Sequence, residues 1–295
     1  MELMPPRLAE ILHSVIMNTR GSRALIMELA DSNVGDELHK LENFFGLPYL
    51  MLIRLISHLV QGLSYLNSEK IAHRDLKPEN ILIFNQPDGM KFKLCDFGGS
   101  RIVTDNCQPL HSICGTPGYL NVNITANLAH NTKALPYTKD ECDLWSVGIT
   151  LFKCATGVLP FIPANGCADT VGMHSMMINR PADAICGHVS EDGRFVWEKD
   201  FPKGRCLYPR TFRRVLREFF RRLFDKREAT RLTFETFAAM CEELIGLRRI
   251  PVFKTNIMLF EDYFDTSHVK LFENALAALV AELCAVDFCC HWTIS

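Results

Sequence analysis

The chain has 295 residues, 48% of them apolar and 22% charged, with a formal net charge of -2. That composition excludes a disordered or collagen-like polymer and suits one or two ordinary cores. The near-neutral charge supplies no global field for nucleic acid or an anionic membrane.

Taken in order, MELMPPRLAE at the start lacks the basic-then-apolar order of a signal peptide. RALIMEL (23–29) is a short apolar run suited to a strand, and DSNVGDE (31–37) has loop chemistry. From 50 to 66, Leu52, Leu55, Ile56, Leu59, Leu63 and Leu66 recur at three- and four-residue steps, which predicts a long helix with one buried face. ILIF (81–84) and KFKLCDF (91–97) read as two strands joined by the turn NQPDG (85–89). From Asp143 onward the pattern is mostly helical, with DLWSVGITLFKCATG and then YPRTFRRVLREFFRRLF, so the bulk of the chain is expected to be one predominantly α domain. A second pattern begins near Ile250. IPVFKTNIMLFEDYF gives two strand-like runs, and DTSHVKLFENALAALVAEL an amphipathic helix capped by Asp265 or Thr266. No run approaches the roughly 18 to 20 uninterrupted apolar residues that span a bilayer. The twelve cysteines lack paired spacing and are expected as free thiols.

The most specific string is IAHRDLKPEN (71–80), between the long helix and a strand. Phosphoryl transfer needs an acceptor for the hydroxyl proton, a cation near the transferring group and a ligand for magnesium, all on one rigid loop. Asp75, Lys77 and Asn80 supply those types in that order. Asp96, in DFG (96–98), offers a second carboxylate to the metal that bridges nucleotide phosphates. Together with DLWSVG (143–148), these strings resemble the protein-kinase signature set.

That resemblance implies a role for several further residues. Lys77, two residues after the catalytic Asp, is the serine/threonine form of the loop. Asp143 is read either as a carboxylate supporting the backbone of the catalytic loop or as a plain cap at the start of its helix. In LHSICGTPGYL (110–120), Gly115 and Thr116 resemble the step that docks the substrate. Ser112 stands where the subfamily carries an activating phosphoserine. A phosphate there, of charge about -2, would pair with Arg74 and order the segment; the alternative is an ordinary exposed loop serine.

The closer resemblance is to the TANK-binding kinase and IκB kinase ε subfamily. It is carried by RALIMEL, FGLPYLMLIRLISHLVQGLSYL (45–66), ATGVLPFIP (155–163), RPADAICG (180–187) and FVWEKDFP (195–202). It implies a hinge in which Met27 lies behind the adenine pocket and Glu28 to Ala30 offer backbone groups to ATP, with Mg2+ as the metal. The fold implied is α+β and protein-kinase-like: a remnant of the small lobe and hinge at 1–29, a mostly helical C-terminal lobe at 30–247 and an incomplete ubiquitin-like segment at 250–295. A cytoplasmic innate-immune or autophagy signalling kinase is implied. Its partners would be protein substrates with Ser or Thr acceptors, adaptor or scaffold proteins and, in a full-length protein, a second copy. Neither nucleic acid nor membrane insertion is expected.

The sequence departs from that pattern in two places. Before Met27 there is one glycine, Gly21, and the first lysine of the chain is Lys40, so the glycine-rich phosphate loop and its lysine are missing. A fragmentary or alternative gene product with slow phosphoryl transfer is therefore expected, and an impaired kinase-like scaffold is the competing reading. At the end of the activation segment, Val122-Asn123 replaces the usual Pro-acid step, leaving Arg231 without its acidic partner. Two weaker patterns have bland readings. Arg205, Arg210, Arg213, Arg214, Arg217, Arg221 and Arg222 are expected on the solvated face of an amphipathic helix rather than against nucleic acid. Cys284, Cys289, Cys290 and His291 lack paired zinc spacing.

Overall fold

The structure is a computed structural model, and it describes residues 7–9, 11–16, 23–166, 168–225 and 232–249. The ubiquitin-like pattern, the Cys-His cluster near 290 and Arg231 all lie outside these residues.

The first strands, β1 (Ile11–Ile16) and β2 (Arg23–Met27), form an antiparallel pair. After β2 come β3 (Ser32–Asn33) and helix α1 (Val34–Leu38). This corrects the loop expected over 31–37. The same residues that suggested a loop act as a helix start: the Asn33 side chain accepts from Asp36 N, and Asp36 and Glu37 fill the first turn, where the helix dipole favours acids.

Helix α2 (Tyr49–Ser68) is the predicted central helix. Leu52, Leu55, Ile56, Leu59, Leu63 and Leu66 are all buried, each contributing about 1.5–3 kcal/mol by removal from water. By length and composition α2 is the one helix among the described residues that would pass for a membrane span, yet this stripe faces the protein core. Beyond it lie β4 (Ile71–Ala72), β5 (Ile81–Gln86), β6 (Gly89–Leu94) and β7 (Arg101–Ile102). The β5–β6 hairpin keeps the register Ile81↔Leu94 to Gln86↔Gly89, so both strands run further into the turn than expected. Gly89, at φ 113°, makes that turn.

Helix α3 (Val122–Ala129) is capped by the buried side chain of Asn121. Helix α4 (Lys139–Thr156) opens on a capping box in which Thr138 and Glu141 satisfy each other's backbone N–H groups. Asp143 therefore lies inside the helix, not at its start, and the capping reading of that residue is corrected. The chain continues through β8 (Phe161–Ile162), α5 (Thr170–Asn179), β9 (Cys186–Val189), β10 (Phe195–Glu198), α6 (Arg210–Leu223) and α7 (Phe234–Gly246).

Strands β8, β9 and β10 form a three-stranded sheet within the region expected to be mostly helical, so the described chain is a mixed helix and sheet fold. Phe152, Phe161, Phe220 and Phe224 are buried together beside Trp145, with ring centroids 5.1 to 6.3 Å apart between Phe152 and its partners Phe220 and Phe224. This cluster ties α4 to α6.

The arginine cluster is less uniform than a solvated helix face. Arg205 precedes α6, lies over the Phe44 ring and donates to Phe44 O and Thr156 O. Arg217 pairs with Asp200 and Arg221 with Glu218. All eight cysteines among the described residues are free.

Candidate active site

The site is assembled on the connection between α2 and β5. Lys70, at φ 55°, ends the helical path, and β4 then pairs with β7, fixing Ile71 against Ile102. The next two residues are held by one buried carboxylate. His73 N donates to Asp143 Oδ2 at 2.9 Å and Arg74 N donates to Asp143 Oδ1 at 2.8 Å. Burial pushes the Asp143 carboxyl up from its ordinary value, opposed by His73 and the two backbone donors. Arg74 sits at φ 71°, a left-handed conformation that the paired Asp143 bonds help to hold.

His73 is fully buried and joins this loop to the DFG segment. Its Nδ1 accepts from Asp75 N at 3.3 Å, which places the ring proton on Nε2, 3.0 Å from Cys95 O. Cys95 N in turn donates to Asn80 O at 3.0 Å. Two hydrogen bonds thus stitch the residues beside Asp96 to the loop that carries Asp75 and Asn80.

Asp75 is surrounded by donors. Thr116 Oγ1 donates to its Oδ1 at 2.7 Å, while Lys77 Nζ and Asn80 Nδ2 each lie 3.2 Å from Oδ2. Lys77 Nζ also donates to Thr116 Oγ1 at 2.8 Å, and Asn80 Nδ2 to Asp75 O at 2.8 Å. Asp75 is consequently an oriented carboxylate with a cation beside it, as a proton acceptor in phosphoryl transfer requires.

Asn80 spends its amide N–H on Asp75, and its Oδ1 accepts no hydrogen bond among the described residues. Asp96 is exposed, at φ 61°, and one of its oxygens accepts a long bond from Gly98 N at 3.3 Å. Among the described residues no group of three or more His, Cys, Asp or Glu is arranged for a metal ion. Two oxygen donors instead suit a hard divalent cation that keeps waters and phosphate oxygens in its shell.

The activation segment packs onto this loop. Arg74 Nη1 donates to Ser112 Oγ at 2.5 Å and Arg74 Nε to Gly99 O at 2.6 Å. Tyr137 OH fixes Ser112 O at 2.5 Å. Gly115 has φ 112°, and a Cβ there would lie 2.7 Å from both Arg74 O and the Leu120 side chain, so only glycine lets the segment approach.

The family model of the protein kinase domain matches residues 7–243, more than half of the chain. The chain belongs to the protein kinase domain family. Curated relatives agree. Over 193 residues it is 34% identical to the mouse (Mus musculus) inhibitor of nuclear factor kappa-B kinase subunit epsilon, covering 63% of this chain and 27% of that protein. It is 36% identical over 151 residues to a Caenorhabditis elegans epsilon subunit homolog 1 of that kinase, covering 46% and 18%. Serine/threonine-protein kinase 36 of Pongo abelii is 37% identical over 136 residues, covering 46% and 10%. The chain thus spans about a quarter or less of the length of these relatives. Serine/threonine-protein kinases are thus among the relatives, and the protein kinase domain family is one that uses ATP and a divalent metal.

Within the kinase domain, Met27 ends β2, and Glu28 to Ala30 follow it without regular structure. The Glu28 carboxylate also pairs with Lys93 Nζ at 2.7 and 2.8 Å, a tie between this segment and β6 that the sequence alone did not signal. Asn123 donates to Pro136 O at 2.6 Å.

Proposed function

We propose that this chain is an ATP- and magnesium-dependent protein kinase that phosphorylates Ser or Thr hydroxyls, of the TANK-binding kinase and IκB kinase ε type, acting in cytoplasmic innate-immune or autophagy signalling. The observation that carries the catalytic part is the Thr116 hydroxyl shared between Asp75 and Lys77, because it holds both groups in a reactive arrangement. Asp75 takes the proton of the incoming hydroxyl as its oxygen bonds to the terminal phosphorus and the bond to the bridging oxygen breaks, releasing ADP. Lys77 offsets charge on the transferring group, and Asn80 and Asp96 present oxygens for Mg2+. A cation held there would neutralise charge on the nucleotide phosphates. Met27 and the backbone of Glu28 to Ala30 contribute to the adenine pocket. Protein substrates, adaptor or scaffold proteins and, in a full-length protein, a second copy are the partners of this reading. The relative from mouse supports the subfamily.

A second reading, a kinase-like scaffold, is favoured by one observation: Val122-Asn123 stands where kinases carry a Pro-acid step, and Asn123 donates to Pro136 O at 2.6 Å. In that reading the segment docks loosely against the catalytic loop and phosphate transfer is slow. One experiment separates the readings. Magnesium-dependent binding of ATP is measured for the chain and for Asp96→Ala, followed by transfer to Ser, Thr and Tyr peptides. Binding lost in Asp96→Ala, with slow transfer to Ser or Thr alone, supports the enzyme; magnesium-independent binding or none at all leaves the scaffold.

A further inference from the structure

A cleft of about 230 Å³ lies between α2, the β5–β6 turn and the residues after α7, and no residue of the catalytic loop is among those lining it. Its walls carry Arg7, Arg54, Lys91 and Arg248, with Asp88 as the only acid among the described residues that line it. Lys91 pairs with Asp88 at 3.2 Å. Arg7 donates to the neutral Gln61 side chain at 2.9 Å, and Arg54 to Met90 O at 3.3 Å. No carboxylate among the described residues lies within ion-pair distance of Arg7, Arg54 or Arg248.

The arrangement is built into the backbone. Arg7 is pinned to the edge of β6, where its carbonyl accepts from Leu94 N at 2.9 Å. Arg54 lies directly over Gly89, where any Cβ would collide with its guanidinium. His58 Nδ1 accepts from Phe92 N at 3.1 Å, which leaves an Nε2–H donor without a protein partner among the described residues. Gathering like charges in this way is unfavourable until an anion arrives.

A neighbouring hollow of about 220 Å³ shares Ile53, Arg54, Met90 and Arg248 with the cleft and adds Leu50 and Met51. Leu50 is 59% exposed. A basic cleft beside an apolar hollow suits an extended segment with a phosphate on one residue and an apolar side chain close by. Inorganic phosphate would fill only the first of these spaces, and fork-shaped guanidinium groups match the oxygens of a phosphate monoester.

We propose that this paired cleft is a docking site for a phosphorylated peptide segment, its phosphate held by Arg7, Arg54, Lys91 and Arg248 and a neighbouring apolar side chain held by Leu50, Met51 and Met90. The site is separate from the active site, and its occupation does not depend on phosphoryl transfer. His58, whose imidazole is driven down to about 4 by burial and by Arg7, Arg54 and Lys91, reports on occupancy, because a bound dianion offsets much of that positive charge.

The test uses the full chain and a fluorescent synthetic peptide carrying phosphoserine next to leucine. The expected results are saturable binding that weakens with salt, an affinity loss of about tenfold or more in Arg54→Gln, a smaller loss when the leucine is replaced by glycine, and an upward move of the His58 titration by NMR. The exposed Arg248→Gln provides a second variant should Arg54→Gln unfold, with circular dichroism melting as the check on both. Unchanged binding in both folded variants overturns the proposal. So does equal affinity for inorganic phosphate, which would leave the apolar hollow without a role, or binding to phosphatidylserine vesicles but not to the peptide, which would make the cleft a membrane contact.

Discussion

Thr116 Oγ1 donates to Asp75 Oδ1 at 2.7 Å while accepting from Lys77 Nζ at 2.8 Å. One hydroxyl therefore sets the direction of both the proton acceptor and the cation beside it. Thr116→Ala is expected to lower phosphoryl transfer by about tenfold or more with ATP affinity unchanged, because only the positioned geometry is lost. Thr116→Ser, which keeps the hydroxyl, retains most of the rate in a single-turnover assay. Equal losses in the two variants would contradict the assignment.

Asp143 answers for two buried backbone donors, those of His73 and Arg74. Asp143→Ala strands both at about 1–3 kcal/mol each, so unfolding stability is expected to fall by roughly 3 kcal/mol. Asp143→Asn keeps one acceptor oxygen and loses less. Urea titrations of the variants measure the difference, and a loss below about 1 kcal/mol for Asp143→Ala would rule out this supporting role.

Ser112 already lies against Arg74, at 2.5 Å. Phosphorylation there would replace a neutral acceptor by a dianion, and charge-assisted bonds are about twice as strong as neutral ones. Amide exchange across residues 110–120 is expected to slow in the phosphorylated chain. The slowing should vanish in Arg74→Gln, and exchange that ignores the phosphate would show that Ser112 is an ordinary loop serine.

The imidazole of His58 is held down to about 4 in the folded chain, against an ordinary value of 6.5. Between those values the unfolded chain binds a proton that the folded chain refuses. The stability this group contributes is whole above pH 6.5 and is lost as the pH falls toward 4. Denaturant midpoints measured between pH 7 and 4 should therefore drop, and His58→Gln should flatten that slope. An identical slope in the variant would clear His58 of the effect.

The parts of the fold that could be read from the residues are those where one periodic signal acts alone. The leucine steps of α2 and the turn residues between β5 and β6 are of this kind, as is the loop from His73 to Asn80. Other parts depend on partners distant in sequence. Nothing local shows that Phe161 will pair with Gly187 and so turn a presumed helical stretch into a sheet. Two misreadings did have a local remedy. Asn33 followed by Asp36, and Thr138 followed by Glu141, are helix-start signals that outweigh the loop-like look of their surroundings. Asp143 then falls a full turn inside α4, where only a three-dimensional view shows both of its oxygens in use. The resemblance marked Thr116 as docking chemistry, but its grip on Asp75 was not signalled, because hydroxyl contacts across 41 residues leave no periodic trace.

Ser112 and Thr116 belong to one short stretch of chain, pinned by Gly115 against the carbonyl of Arg74. If that stretch peels away, Arg74 and Asp75 lose those contacts in the same event. On the proposed function, a phosphate on Ser112 would then act on the reaction as an on-off device and not as a dial.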